Sequence, residues 1–173
     1  MIDSIALKMA EAIKKAEPTK TASIEVMKFS LVVILHTALT VVFIVIIGII
    51  TNSLELTMIG LMSFIVLRFF SGGLHLKKAI NCSIVSTILI SVAPHIPLAP
   101  ELTIIIIGIS LLIALFLAPA NIINHARIPK KYFPLLKLIS VLLISSNFIF
   151  MSSTIAVAHL LQAITLIPYM RRW

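Results

Sequence analysis

The chain has 173 residues, of which 60% are hydrophobic and only 12% charged, with a formal net charge of +8. A water-soluble domain of this size exposes far more Lys and Glu, so the balance excludes one and puts the chain in a bilayer. The length allows roughly six spans of ~20 residues and leaves little for a soluble domain.

The first predicted element is Ile2–Glu17. Ile2, Ile5, Met9, Ile13 and Ala16 recur mostly three and four apart, while Lys8, Glu11, Lys14 and Lys15 fall away from that stripe. This pattern predicts an amphipathic helix lying in a membrane interface. The N-terminus has no short basic stretch running into an apolar core and a cleavage site, so a signal peptide is not expected. Six spans follow, placed by apolar runs and their breakers: Phe29–Ile50, Leu54–Phe70, Ala79–Ala93, Leu102–Leu117, Leu135–Met151 and Ser153–Tyr169. Pro94, Pro97 and Pro100 punctuate the loop after the third span, and Pro119, Pro129 and Pro134 bracket the loop after the fourth. The last two spans meet at Ser152-Ser153, a connection tight enough to predict an antiparallel hairpin.

The expected fold is all-α: a polytopic membrane protein with six transmembrane helices plus an N-terminal amphipathic interfacial helix. It forms one integral membrane domain, residues 1–173, with 1–28 interfacial and 29–170 the six-helix bundle.

Charge orients these spans. Lys8, Lys14, Lys15, Lys20 and Lys28 precede the first; Arg68, Lys77 and Lys78 lie between the second and third. Arg127, Lys130, Lys131 and Lys137 lie between the fourth and fifth, and Arg171 and Arg172 follow the sixth. All 14 basic residues thus fall on one side, and the opposite loops carry Glu55 and Glu101. By the positive-inside rule both termini are cytoplasmic, in a multi-pass protein of the cell membrane. The net charge then reports topology and contact with anionic lipids; nucleic acid is not expected as a partner. The same basic face would also attract an acidic peptide.

One segment on that face carries chemistry: Arg68-Phe69-Phe70-Ser71-Gly72-Gly73-Leu74-His75, with Cys82 seven residues further on. Cys82 is the single cysteine, which excludes an internal disulfide framework. A thiol becomes a nucleophile as its thiolate, which needs a nearby base and a positive surrounding. In one continuous helix His75 and Cys82 would sit ~10.5 Å apart along the axis, too far to pair. Gly72-Gly73 permits a bend that folds His75 back toward the start of the next helix, with Cys82 in its first turns. There the helix dipole, Arg68, Lys77 and Lys78 all favour an anion. Asn81 is placed to orient the imidazole or to donate to an oxyanion. No Asp or Glu lies in any span, so the inventory permits a Cys–His dyad, or a triad closed by an amide or hydroxyl. One cysteine and scattered histidines do not make a zinc site, and phosphate-loop and dinucleotide patterns are absent, so no metal and no cofactor is expected. His36 and His159, inside spans, read as neutral rings bonded to a neighbouring helix; Asn147 and Gln162 read as ties between helices.

The pattern Arg68-x-x-x-Gly72-Gly73-x-His75-x6-Cys82 resembles the signature of accessory gene regulator B (AgrB), a family of bacterial membrane cysteine endopeptidases. Ala118-Pro119-Ala120 with Arg127-Ile128-Pro129 resembles that family's cytoplasmic Ala-Pro-Ala-Asp…Pro loop, departing from it where Asn121 and Asn124 stand in place of acidic residues. The resemblance implies that Cys82 is the nucleophile and His75 the general base, then the acid. Arg68 would hold a substrate carboxylate or brace the Gly72-Gly73 turn, with Lys77 and Lys78 near the substrate's acidic tail. It implies cleavage of a precursor signal peptide with an amphipathic leader and an acidic tail, and capture of the acyl-enzyme by a peptide cysteine to give a thiolactone autoinducer for quorum sensing. A homodimer would supply wall that so small a bundle lacks. The alternative from another class is a non-hydrolytic peptide transporter or export component, against which stands the lack of acidic residues in the spans.

Overall fold

The computed structural model describes residues 2–73, 79–120 and 129–167, with the backbone alone described at Ala79 and Cys82. Among them the chain is helical throughout: α1 (Ile2–Ala16), α2 (Ile24–Ile50), α3 (Leu54–Ser71), α4 (Ala79–Val92), a 3-10 turn (Ala93–His95), α5 (Pro100–Leu117), a second 3-10 turn (Lys130–Tyr132), α6 (Phe133–Phe150) and α7 (Ser153–Ile164). Six apolar helices therefore occupy the six expected positions. Four are long and apolar enough to cross a membrane, Ile24–Ile50, Leu54–Ser71, Pro100–Leu117 and Lys130–Phe150; Ser83–His95 and Ser153–Ile164 are apolar but shorter.

The helix ends differ from expectation for local reasons. Helix α2 starts at Ile24, five residues early, because Ser23 Oγ accepts the Val26 N–H at 3.4 Å. Helices α5 and α6 take a proline into their first turn, where its fixed φ fits and its missing N–H removes no helical bond. Helix α7 stops at Ile164 rather than Tyr169. The Thr165 hydroxyl donates back to Gln162 O at 2.7 Å, and the Thr165 and Leu166 N–H groups tighten onto Gln162 O and Ala163 O.

Two compact units divide the chain, Met1–Ile44 with Leu76–Thr87, and Val45–His75 with Ile88–Trp173. In the first, α1 buries Ala6 and Ala10 while Ile5, Met9 and Ile13, the stripe read from the sequence, stay exposed. Lys14 Nζ donates to Thr21 O at 3.1 Å, fixing the turn after that helix.

The second unit is built inside out. Helix α5 turns Thr103, Ile107, Ser110 and Ala114 inward at spacings of four, three and four, and α6 turns in Leu136, Ser140, Ile144 and Asn147. Large apolar side chains point outward: Phe116 is 75% exposed and Ile149 83%. That is the arrangement of helices whose solvent is lipid, where small and polar residues give close packing and interhelical bonds. Helix α7 is covered almost all round, burying Thr154, Ala156, Val157, Ala158, His159, Gln162 and Ala163. Its small residues let α3 and α5 approach, and these, more than its hairpin neighbour α6, are its main packing partners. His36 in the first unit and His159 in the second are buried, but neither Nδ1 has a hydrogen-bond partner, so the expected bond to a neighbouring helix is not made there.

Asn147 ties the α6–α7 corner rather than two separate helices. Its Nδ2 donates to Ser152 O at 3.0 Å, and its Oδ1 accepts the Ser152 N–H at 3.1 Å, across a turn in which Met151 takes φ 49°. Asn147 itself is fully buried. Asn147→Ala should therefore lower the stability of the detergent-solubilised protein by about 1 kcal/mol, read from its thermal or denaturant unfolding midpoint, since the Ser152 N–H loses its acceptor while Ser152 O keeps the Ala156 N–H. A wild-type midpoint would show that the turn does not need the amide.

Candidate functional site

The described part of the site begins where α3 ends. Arg68 sits in the last turn of that helix, with its guanidinium carbon 5.9 Å from the centre of the Phe64 ring. Ser71 is the last helical residue, and Gly72 closes the helix by donating its N–H to Arg68 O at 2.9 Å. Gly72 takes φ 70° and Gly73 φ 131°, backbone angles that side-chain-bearing residues avoid. The bend foreseen from the glycine pair is therefore present. At Gly73 a Cβ would also run into Thr165 Oγ1, with Gln162 Nε2 at 3.2 Å, so the backbone passes as close to the end of α7 as an absent side chain allows.

Leaving a helix inside the protein, where Ser71 is fully buried, frees backbone groups that need partners there. They are satisfied by a second break, at the end of α5. Gly73 N–H donates to Ala120 O and Ala120 N–H donates to Ser71 O, both at 2.9 Å, making an isolated parallel bridge between Gly72 and Ala120. The preceding Ala118–Pro119 peptide is cis. The two patches recognised separately in the sequence are thus joined by this bridge.

The third component comes from α7. Gln162 is fully buried; its Oε1 accepts from Arg68 Nη1 at 3.2 Å, and its Nε2 donates to Ser71 Oγ at 3.0 Å and to Gly72 O at 2.6 Å. Arg68 is thereby joined to the glycine turn through this amide. The role of Gln162 as an interhelical tie is realised. Its convergence on the glycine bend, together with Ser71 and Thr165, was not foreseen; the available signal was a long amide inside an otherwise apolar helix.

The other expected site residues are distributed as follows. Asn81 is exposed in the first turn of α4, and Cys82 is the fourth residue of that helix, in its first turns as expected. Both belong to the first unit, whereas Arg68, Gly72 and Gly73 belong to the second. His75, Lys77 and Lys78 lie outside the described residues, as do Asn121, Asn124 and Arg127 of the second patch and the side chain of Cys82.

Residues 6–167 match the family described as Accessory gene regulator B. The chain belongs to that family. It is also 30% identical, over 110 residues, to a protein of Halalkalibacterium halodurans named "Putative AgrB-like protein"; the aligned part makes up 64% of this chain and 56% of that relative, so the chain spans about half the length of the curated relative it matches. No solved structure matches the chain.

The glycine clamp makes a direct prediction. Gly73→Ala should destabilise the protein by roughly 1–3 kcal/mol, through its backbone angle and its collision with Thr165. Thr165→Ala in the same chain should recover the steric part and leave the backbone part. Unfolding midpoints of the two single variants and the double variant measure this, and purely additive effects would rule out the contact.

Proposed function

We propose that this protein is a membrane cysteine endopeptidase that processes a precursor signal peptide for quorum sensing. Membership of the accessory gene regulator B family supports a part in signal-peptide processing. The observation that carries the reading to particular residues is the clamp at Gly72-Gly73, which governs the backbone two residues before the family-matched histidine, His75. All six apolar helices cross the membrane in this reading, with both termini cytoplasmic. Helix α1 rests on the anionic inner surface through Ile5, Met9 and Ile13, flanked by Lys8 and Lys15.

The Cys82 thiolate attacks the carbonyl carbon of the scissile peptide bond, giving a tetrahedral intermediate. That intermediate collapses as the C–N bond breaks, and protonated His75 delivers its proton to the departing amine of the acidic tail. The product is a thioester between Cys82 and the leader-bearing fragment. A cysteine thiol of the same peptide then attacks this thioester, and its proton returns to Cys82 through the imidazole. A thiolactone ring forms and the enzyme thiol is regenerated. Thioester exchange is near isoenergetic, so ring closure competes with hydrolysis when water is kept from the intermediate. Lys77 and Lys78 receive the acidic tail, and Asn81 stabilises the oxyanion or orients the imidazole.

Co-expression with a peptide that has an amphipathic leader, an internal cysteine and an acidic tail tests the reaction. Mass spectrometry should find a tail-less product lighter than the hydrolysed acid by one water with the wild type, and uncut peptide with Cys82→Ser or His75→Ala. A product that survives Cys82→Ser would sink the peptidase reading in favour of a transporter or scaffold.

Because Cys82 is the only thiol, its alkylation isolates two further claims. A maleimide that cannot cross membranes should label it in inverted vesicles and spare it in intact cells; the reverse would overturn the topology. The rate of iodoacetamide alkylation should have its pH midpoint well below the ordinary thiol value of about 8.5, and His75→Ala should raise it toward that value. The sign follows from the pairing: an imidazolium beside the sulfur favours thiolate, and its removal restores the neutral thiol.

A further inference from the structure

Gln162 lies ninety-four positions from Arg68 in sequence and outside both family patches, yet its amide bonds Arg68, Ser71 and Gly72 of the first, where that patch is bridged to Ala120 of the second. That amide has one permitted orientation. Oε1 faces a cation and accepts; Nε2 faces the Gly72 carbonyl and donates. A flipped amide would set carbonyl against carbonyl and amino group against guanidinium.

Of its three bonds, two end on side chains, Arg68 and Ser71, and would suffice to join α7 to α3. The shortest, 2.6 Å to Gly72 O, ends on the backbone of the bend. Two consecutive glycines confine their own dihedrals poorly, so what holds Gly72 at φ 70° and Gly73 at φ 131° must come from outside them. On the Ala120 side the hold is the bridge; on the α7 side it is the Gln162 amide with Thr165 behind it. His75 follows Gly73 by two residues, so whatever sets this bend sets where the chain bearing the imidazole departs.

We propose that Gln162 is a positioning residue for the reaction: by donating Nε2–H to the Gly72 carbonyl, it holds in one conformation the glycine bend that precedes His75 by two residues. This rests on the Cys82–His75 chemistry proposed above. Gln162 touches neither substrate nor reacting atoms; it acts through the backbone.

Two substitutions separate positioning from bundle stability. Gln162→Glu keeps an acceptor for Arg68, and a charged one, but has no donor for Gly72 O. Gln162→Leu removes every bond. The readout is the pH profile of Cys82 alkylation by iodoacetamide, followed by intact mass on the full-length protein in lipid nanodiscs. Each profile is normalised to its own high-pH plateau so that access to the sulfur cancels. At about pH 6.5, where an ordinary thiol is almost wholly protonated, both variants should fall about tenfold below wild type, as His75→Ala does. Adding His75→Ala to Gln162→Glu should bring no further fall, because both act through one imidazole. Gln162→Glu also keeps the test open if the leucine variant fails to accumulate, since it retains the tie to Arg68. Folded Gln162 variants with the wild-type profile, beside a His75→Ala profile that does shift, would overturn the role of Gln162 and leave the dyad standing. An unshifted His75→Ala profile would overturn the dyad, and this inference with it.

Discussion

One buried amide closes a gap between two helix ends in the protein interior. Where α3 and α5 break off, their buried backbone groups need partners inside the protein, since each one left unpaired costs about 1–3 kcal/mol. The Gly72–Ala120 bridge satisfies four groups, the N–H and carbonyl of Ala120, the Gly73 N–H and the Ser71 carbonyl, and Gln162 donates to the Gly72 carbonyl beside them. Both meet at one place, since Gly73 lies against Thr165 and the Gln162 amide at the end of α7. The early end of that helix, where the Thr165 hydroxyl donates back to Gln162 O, is therefore part of the site's construction.

The inside-out character of the second unit explains why an amide serves here. An interior lined by Thr57, Thr103, Ser110, Ser140, Asn147 and Gln162 gathers groups that bond without carrying charge. Each is tolerable in a low-dielectric interior when paired, whereas a buried carboxylate would need full compensation. Arg68, the one cation of α3, is held at the end of its helix between the Phe64 ring and Gln162 Oε1, where a neutral acceptor orients it without neutralising it.

Helix positions were largely legible in the sequence because apolar run length and proline placement act locally. The six apolar helices and the amphipathic α1 lie where those signals put them. Helix ends were legible where a breaker marks them: Gly72 ends α3, and Pro168, inside the stretch read as the last span, is the breaker that accounts for α7 ending short of Tyr169. The Ser152-Ser153 connection correctly indicated a sharp turn. It did not indicate that α7 would pack chiefly on α3 and α5, since that depends on which faces are small, summed over three helices. The glycine bend could be read from Gly72-Gly73 because a conformational need leaves its mark on residue type. The bridge to Ala120 and the tie to Gln162 could not, because residues so distant in sequence carry no sign of their contact. An amide in an apolar helix announces that it has a partner without naming it.

These constraints bear on how a dyad could work in this chain. Cysteine–histidine chemistry commonly relies on a third group that fixes the imidazole's tautomer and direction. No acidic residue follows Glu101, and between Glu25 and that position only Glu55 occurs, assigned by charge pattern to the opposite side of the membrane. A carboxylate is thus not available from the spans to orient His75. Orientation must then come from elsewhere, and a backbone held from both sides, two residues before the histidine, supplies it by restricting the chain rather than by gripping the ring. In the proposed reaction the imidazole takes a proton from one sulfur, gives it to an amine and later receives one from a second sulfur, a sequence that calls for no fixed anionic partner on the ring. The same economy fits a small bundle in lipid: a neutral amide acting on the main chain adds no charge to the interior, where a carboxylate acting on the imidazole would.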